Sequence, residues 1–202
     1  RYIGDWSSDV CSSDLKPKIL HIASHSYFLE DKRQETKKKA TSLELKSKND
    51  INKNIKYIEN PLIRSGIVLA GANNPEVDKN DDGYLTSLEV TKLDWEGTEM
   101  VVISGCESGL GDIKSGEGVY GLKRAISVAG AKTSLLSLWK VNDLATAEFM
   151  EIYYRKLKNG EGKAEALHNT QKEFRNSDIE GYRHPYYWAA FQLSGDWRPI
   201  DF

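Results

Sequence analysis

Cysteine is nearly absent: Cys11 and Cys106 are the two in 202 residues. Cys11 falls in an opening segment that reads as foreign to the rest of the chain, which leaves Cys106 alone and excludes a disulfide framework. Such usage points to a reducing, cytoplasmic setting. Long hydrophobic runs are missing as well. The longest apolar stretches, such as residues 66–72, fall far below the ~20 residues that cross a bilayer as a helix, so neither a transmembrane helix nor a membrane partner is expected. An excess of one charge is also lacking. The 28 Lys and Arg face 30 Asp and Glu, a net charge of -2, which removes any global pull toward nucleic acid. What is present, 39% hydrophobic and 29% charged residues, suffices to bury a core and excludes disorder for the chain as a whole. The length suits one domain or a large fragment of one.

Residues 1–15 read RYIGDWSSDVCSSDL, without helical or strand periodicity. The string resembles a translated sequencing adapter and is set apart as a non-native segment; the competing reading is a genuine Ser/Asp-rich loop. Residues 16–202 then form the domain, and an adapter directly against Lys16 implies an N-terminally truncated protein. Within it, residues 31–56 carry nine Lys or Arg against four Asp or Glu. A solvated loop explains that stretch better than a nucleic-acid contact, with Leu43, Leu45 and Ile55 hinting at an exposed hairpin.

Elsewhere short apolar runs alternate with helical periodicity. Strands are expected at residues 18–24, 63–70, 99–104, 133–139 and 186–193. Helices are expected at residues 87–93, from about 119 to 129 with Gly130 as the stop, at 144–157 capped by Asn142 or Asp143, and at 163–174. This alternation predicts an α/β layered fold with a mostly parallel central sheet flanked by helices.

In an open parallel sheet, reactive groups collect where loops leave the carboxyl ends of strands. His25 follows the first strand directly, and Cys106 follows the strand at 99–104 inside a glycine-rich turn. Were those strands neighbours, imidazole and thiol would stand side by side, as a Cys-His dyad requires: the base holds the thiolate and then protonates the leaving amine. The plainer alternatives are a small buried cysteine and a surface histidine. His21 shares a face with His25 but lies inside the strand, where a hydrogen-bonded structural histidine is the expected role.

At these residues the chain resembles the CHAT domains, bacterial relatives of the caspases and separases that usually carry tetratricopeptide repeats upstream. Leu20-His21-Ile22-Ala23-Ser24-His25 is similar to the family's histidine motif, and Val101-Val102-Ile103-Ser104-Gly105-Cys106-Glu107-Ser108-Gly109 to its nucleophile motif. The blocks at residues 60–72, 82–86, 116–122, 137–141 and 184–191 follow the family's order. The resemblance implies a caspase-like fold and a cysteine endopeptidase acting on protein or peptide substrates through His25 and Cys106, with no cofactor required. It implies an oxyanion hole from the backbone N–H groups of Cys106 and Ser26. The family's usual residue after the histidine is Gly, where Ser26 stands here, so a catalytically inactive caspase-like protein-interaction module is the alternative. The block ending at Asp143 resembles the segment where separases place an acid that receives arginine; helix capping competes for the same carboxylate.

Two motifs compete with this reading. Gly116-x-Gly118-x-x-Gly121 opens a helix like a dinucleotide fingerprint, but it is separated from its strand by a long loop. Asp78-x-Asn80-x-Asp82-Gly83-x5-Glu89 satisfies the EF-hand loop pattern, so Asp78, Asn80, Asp82 and Glu89 are candidate Ca2+ ligands; the preceding segment reads as strand and turn instead of helix, and a chance turn is the other reading.

Overall fold

The computed structural model describes residues 16–29, 60–69, 72, 82–105, 117–139 and 141–202. Among them the elements run β1 (Ile19–Ile22), β2 (Ser26–Phe28), β3 (Ser65–Val68), β4 (Tyr84–Thr86), α1 (Ser87–Val90), β5 (Met100–Ile103), α2 (Glu117–Val128), β6 (Thr133–Ser137), α3 (Asp143–Lys158), α4 (Lys163–Arg175), α5 (Pro185–Trp188) and β7 (Phe191–Gly195). The main sheet has the order β1-β5-β6-β7, with β1, β5 and β6 parallel and β7 antiparallel to β6. A second, antiparallel sheet has the order β2-β3-β4.

β5 is central because every one of its residues is apolar and buried. Strand alternation sends Met100 and Val102 into one core, shared with Phe149, Tyr153 and Phe174 from α3 and α4. Val101 and Ile103 enter the opposite core, shared with Leu122, Ala125 and Ile126 of α2 and with Trp95. The helices thus cover both faces of the sheet, as a parallel sheet demands. Helix α2 packs unusually close to β3. A side chain at Gly121 would meet the Ser65 hydroxyl at 2.7 Å, so this glycine serves helix-to-strand packing, which accounts for part of the fingerprint-like spacing.

Three expectations shift. The run at residues 63–70 becomes a 3-10 turn, Pro61–Ile63, followed by β3, which joins the antiparallel sheet. The short helix ends at Val90, not residue 93. The last strand moves to Phe191–Gly195, because Pro185 at the first helical position and the His184 side chain, which accepts from Tyr186 N at 3.2 Å, start α5 instead. Residues 1–15 and 31–56, including the suggested hairpin, lie outside the described residues.

At the amino end of β5, Glu99 joins two cations. Its carboxylate accepts from Lys132 Nζ at 2.7 Å and from Lys163 Nζ at 3.4 Å, and Lys163 is fully buried. The Lys132 hydrogen bond, with the charge of Lys163 behind it, holds the Glu99 carboxyl below its usual range despite burial. The Glu99→Gln variant leaves the Lys163 ammonium buried without the carboxylate that it bonds. We expect a loss of about 3 kcal/mol or more in urea unfolding at neutral pH, against less than about 1 kcal/mol for Lys132→Ala on the exposed partner.

Candidate active site

The carboxyl ends of β1 and β5 stop at the same level, with Ile22 opposite Ile103. The ladder continues one residue further, Ser104 N donating to Ile22 O at 3.3 Å. Gly105 then lies against the turn that carries His25. A Cβ at Gly105 would overlap the Ser24 carbonyl oxygen and reach within 3.3 Å of His25 Cα. From the other side, the Ser137 hydroxyl at the end of β6 donates to Gly105 O at 2.6 Å. Three strand ends therefore meet around one glycine.

The turn at His25 is anchored independently. The Ser24 hydroxyl donates to Val68 O, and Val68 N donates to His25 O at 2.7 Å. His25 itself is exposed between β1 and β2. Ser26 is buried in β2, at 3% exposure, opposite Ile67. Its φ is not in the left-handed region, since Lys16 is the one described non-glycine residue that is. A serine thus meets no backbone conflict in the place of the glycine. Val68 N bonds His25 O and Leu29 N bonds Arg64 O. The alternation of antiparallel pairs therefore turns the Ser26 N–H away from β3. Cys106 lies outside the described residues, so of the expected dyad the structure places His25 and the residue directly preceding Cys106.

His21 is a doubly bonded histidine. Nε2 pairs with Ser104 Oγ at 2.8 Å and Nδ1 with the Tyr154 hydroxyl at 2.8 Å. Burial lowers its pKa and keeps the ring neutral. Spacing within the histidine motif suggested a structural role but not these partners, because Tyr154 is 133 positions away. Ser137 also escaped sequence reasoning, since an apolar strand gives no reason to single out its last serine.

Asn142 is the cap of α3: its Oδ1 accepts from Ala145 N at 3.0 Å. Asp143 occupies the first helical position with an exposed side chain. The capping role that competed for its carboxylate thus belongs to its neighbour. Asp82 Oδ1 accepts from Tyr84 N at 2.9 Å, and Glu89 Oε2 accepts from both Thr86 N and Thr86 Oγ1 at 2.8 Å, closing a capping box on α1. Asp78 and Asn80 lie outside the described residues. Among the described residues no three acidic, His or Cys side chains gather as metal ligands do, and no helix is long and apolar enough to cross a membrane.

A mostly parallel sheet flanked by helices, with a histidine turn and a glycine turn meeting at its carboxyl edge, defines a caspase-like α/β domain. The profile of the CHAT domain matches residues 8–196, and the chain belongs to that family, which is related to the caspase-like cysteine peptidases. The chain is also similar to Tetratricopeptide repeat protein 28 of Homo sapiens, 33% identical over 111 residues, which cover 55% of this chain and 4% of that protein. It is 32% identical over 97 residues to Tetratricopeptide repeat protein 28 of Mus musculus, covering 48% of this chain and 4% of that protein. The chain thus matches a small part of the length of these curated relatives.

The clasp around Gly105 makes a specific demand. In Gly105→Ala the added methyl meets a backbone carbonyl that no rotamer change can move, and we expect a loss of about 1–3 kcal/mol, read as a lower midpoint in thermal unfolding.

Proposed function

We propose that this chain is a cysteine endopeptidase domain in which Cys106 is the nucleophile and His25 the general base. The observation that carries the reading is the contact of Gly105 with the Ser24-His25 backbone, which brings the chain to the histidine one residue before the cysteine. The His25 imidazole takes the thiol proton, the thiolate adds to the scissile carbonyl, and the imidazolium returns the proton to the departing amine. Water then attacks the thioester with the same imidazole as base, releasing the acid and restoring the thiol. The N–H groups of Cys106 and Ser26 stabilise the oxyanion; the outward turn of the Ser26 N–H from β3 supports its part. Dyad and oxyanion donors suffice for this chemistry without metal or organic cofactor.

Asp143 would favour arginine or lysine before the cleaved bond. Its exposed carboxylate and the Asn142 cap support this, since a carboxylate not used as a cap leaves its oxygens open to a guanidinium. The second reading is a catalytically inactive module that binds a partner protein. It is favoured by the two relatives, whose names describe repeat proteins rather than peptidases. Tetratricopeptide-type repeats in the full-length protein fit both readings, as does a reducing, cytoplasmic setting.

A peptide carrying a thiol-reactive group after arginine separates the readings. Labelling of Cys106 that is lost in His25→Ala supports the enzyme; a Cys106 no more reactive than an ordinary exposed thiol, with or without His25, removes the enzyme and leaves the binding module as the reading. Asp143→Asn should reduce labelling by the arginine peptide roughly tenfold or more relative to a leucine peptide, with the melting temperature unchanged. Equal labelling by both peptides would remove Asp143 from the specificity pocket.

A further inference from the structure

His21, Ser104 and Tyr154 form a polar chain that the dyad chemistry does not use. Ser104 is the last residue tied to β1, through the 3.3 Å bond from its N–H to Ile22 O. The next residue, Gly105, is held at its carbonyl by the Ser137 hydroxyl at 2.6 Å, and having no side chain it takes the φ and ψ that its neighbours impose. Ser104 is the neighbour on the β5 side, and its hydroxyl is held by His21 Nε2 at 2.8 Å. Tyr154, reaching across from α3, holds Nδ1 at 2.8 Å.

The proton positions follow from the chemistry of the three groups. Burial lowers the His21 pKa and raises that of Tyr154, so the imidazole and the phenol are both neutral near pH 7. A phenol donates more readily than it accepts. Tyr154 O–H therefore donates to Nδ1, the ring proton sits on Nε2, and Nε2–H donates to Ser104 Oγ. With both nitrogens engaged, His21 has no free lone pair with which to act as a base.

We propose that His21 is a positioning residue, its tautomer set by Tyr154, which holds Ser104 and thereby aims the chain from β5 toward Cys106. The proposal rests on the reading above that Cys106 is the nucleophile. Asparagine and glutamine separate the two ring nitrogens: a Gln amide nitrogen stands near the place of Nε2, and an Asn amide near that of Nδ1.

In the full chain, His21→Gln should keep kcat on an arginine peptide within about threefold, whereas His21→Asn should lower kcat roughly tenfold to a hundredfold with KM unchanged. Alkylation of Cys106 by iodoacetamide, followed by mass spectrometry of its own peptide so that Cys11 is counted apart, should fall in the same order. Ser104→Ala should match His21→Asn, and Ser104→Thr should recover most of the loss. Equal losses in both His21 variants, or losses that follow the melting temperature, would assign His21 to packing and overturn the proposal. The alkylation readout needs no cleavage. The expected order of alkylation in a chain that cleaves no peptide would overturn the peptidase reading and leave the positioning role in place. Unchanged alkylation in both His21→Asn and Ser104→Ala would overturn the positioning role, whatever the chain cleaves.

Discussion

Everything at the carboxyl edge depends on the parallel pairing of β1 with β5, in the register that sets Ile22 opposite Ile103. Parallel neighbours point their ends the same way, so the turns that follow emerge together on one side of the sheet. That pairing alone would bring two loops near each other. What turns nearness into contact is the missing side chain at Gly105, which lets one backbone rest on the carbonyl of another. The Ser137 hydroxyl, from the third parallel strand, fixes the far side of that glycine. The main sheet thus presents a shared rim, and the small antiparallel sheet holds the histidine turn through Val68.

Burial on two faces made the central strand readable. Met100 to Ile103 is a continuous apolar run because helices cover both sides, and no exposed element can sustain such a run. The larger helices were legible for a related reason: Leu122, Ala125 and Ile126, and Ala145, Phe149 and Tyr153, repeat at the helical period and end near glycines with positive φ, Gly130 and Gly160. β2 and β4 were not legible. Three residues cannot establish an alternation, and these strands exist because β3 lies between them. Nor could the sequence show that β3 leaves the parallel sheet, since strand composition does not encode the choice of partner. At the rim, strand spacing suggested that residues 25 and 106 could meet; residue 105 packs on the Ser24-His25 backbone, and residue 106 lies outside the described residues. The Tyr154-His21-Ser104 chain joins three elements far apart in sequence, and no local pattern announces it.

The borrowed-looking motifs teach a narrower lesson. Glu89 stands at the spacing of a calcium ligand, yet the same spacing from Thr86 is that of a capping box, and both described bonds of its carboxylate go to Thr86. Gly121 stands at the spacing of a phosphate loop, yet its absent Cβ makes room for Ser65. In both cases a geometric need, a cap within one turn of helix for Glu89 and a close helix-to-strand contact for Gly121, explains the residue type. A motif of four or five positions draws on the same few residues that caps and close packing require, and only the neighbouring elements distinguish the uses.

The ion cluster of Glu99, Lys132 and Lys163 lies at the opposite end of β5 from Gly105. Four residues of extended chain span roughly 13 Å, beyond the range over which substitutions with no shared partner influence one another. The domain therefore has two separable ends along one strand. Changes in the amino-end charges alter how firmly the scaffold stands, and their cost adds to that of any change in the carboxyl-end turns without altering it. Lineages of such a domain can drift at one end without renegotiating the other, because heat tolerance gained or lost at the charges leaves the geometry of the rim as it was.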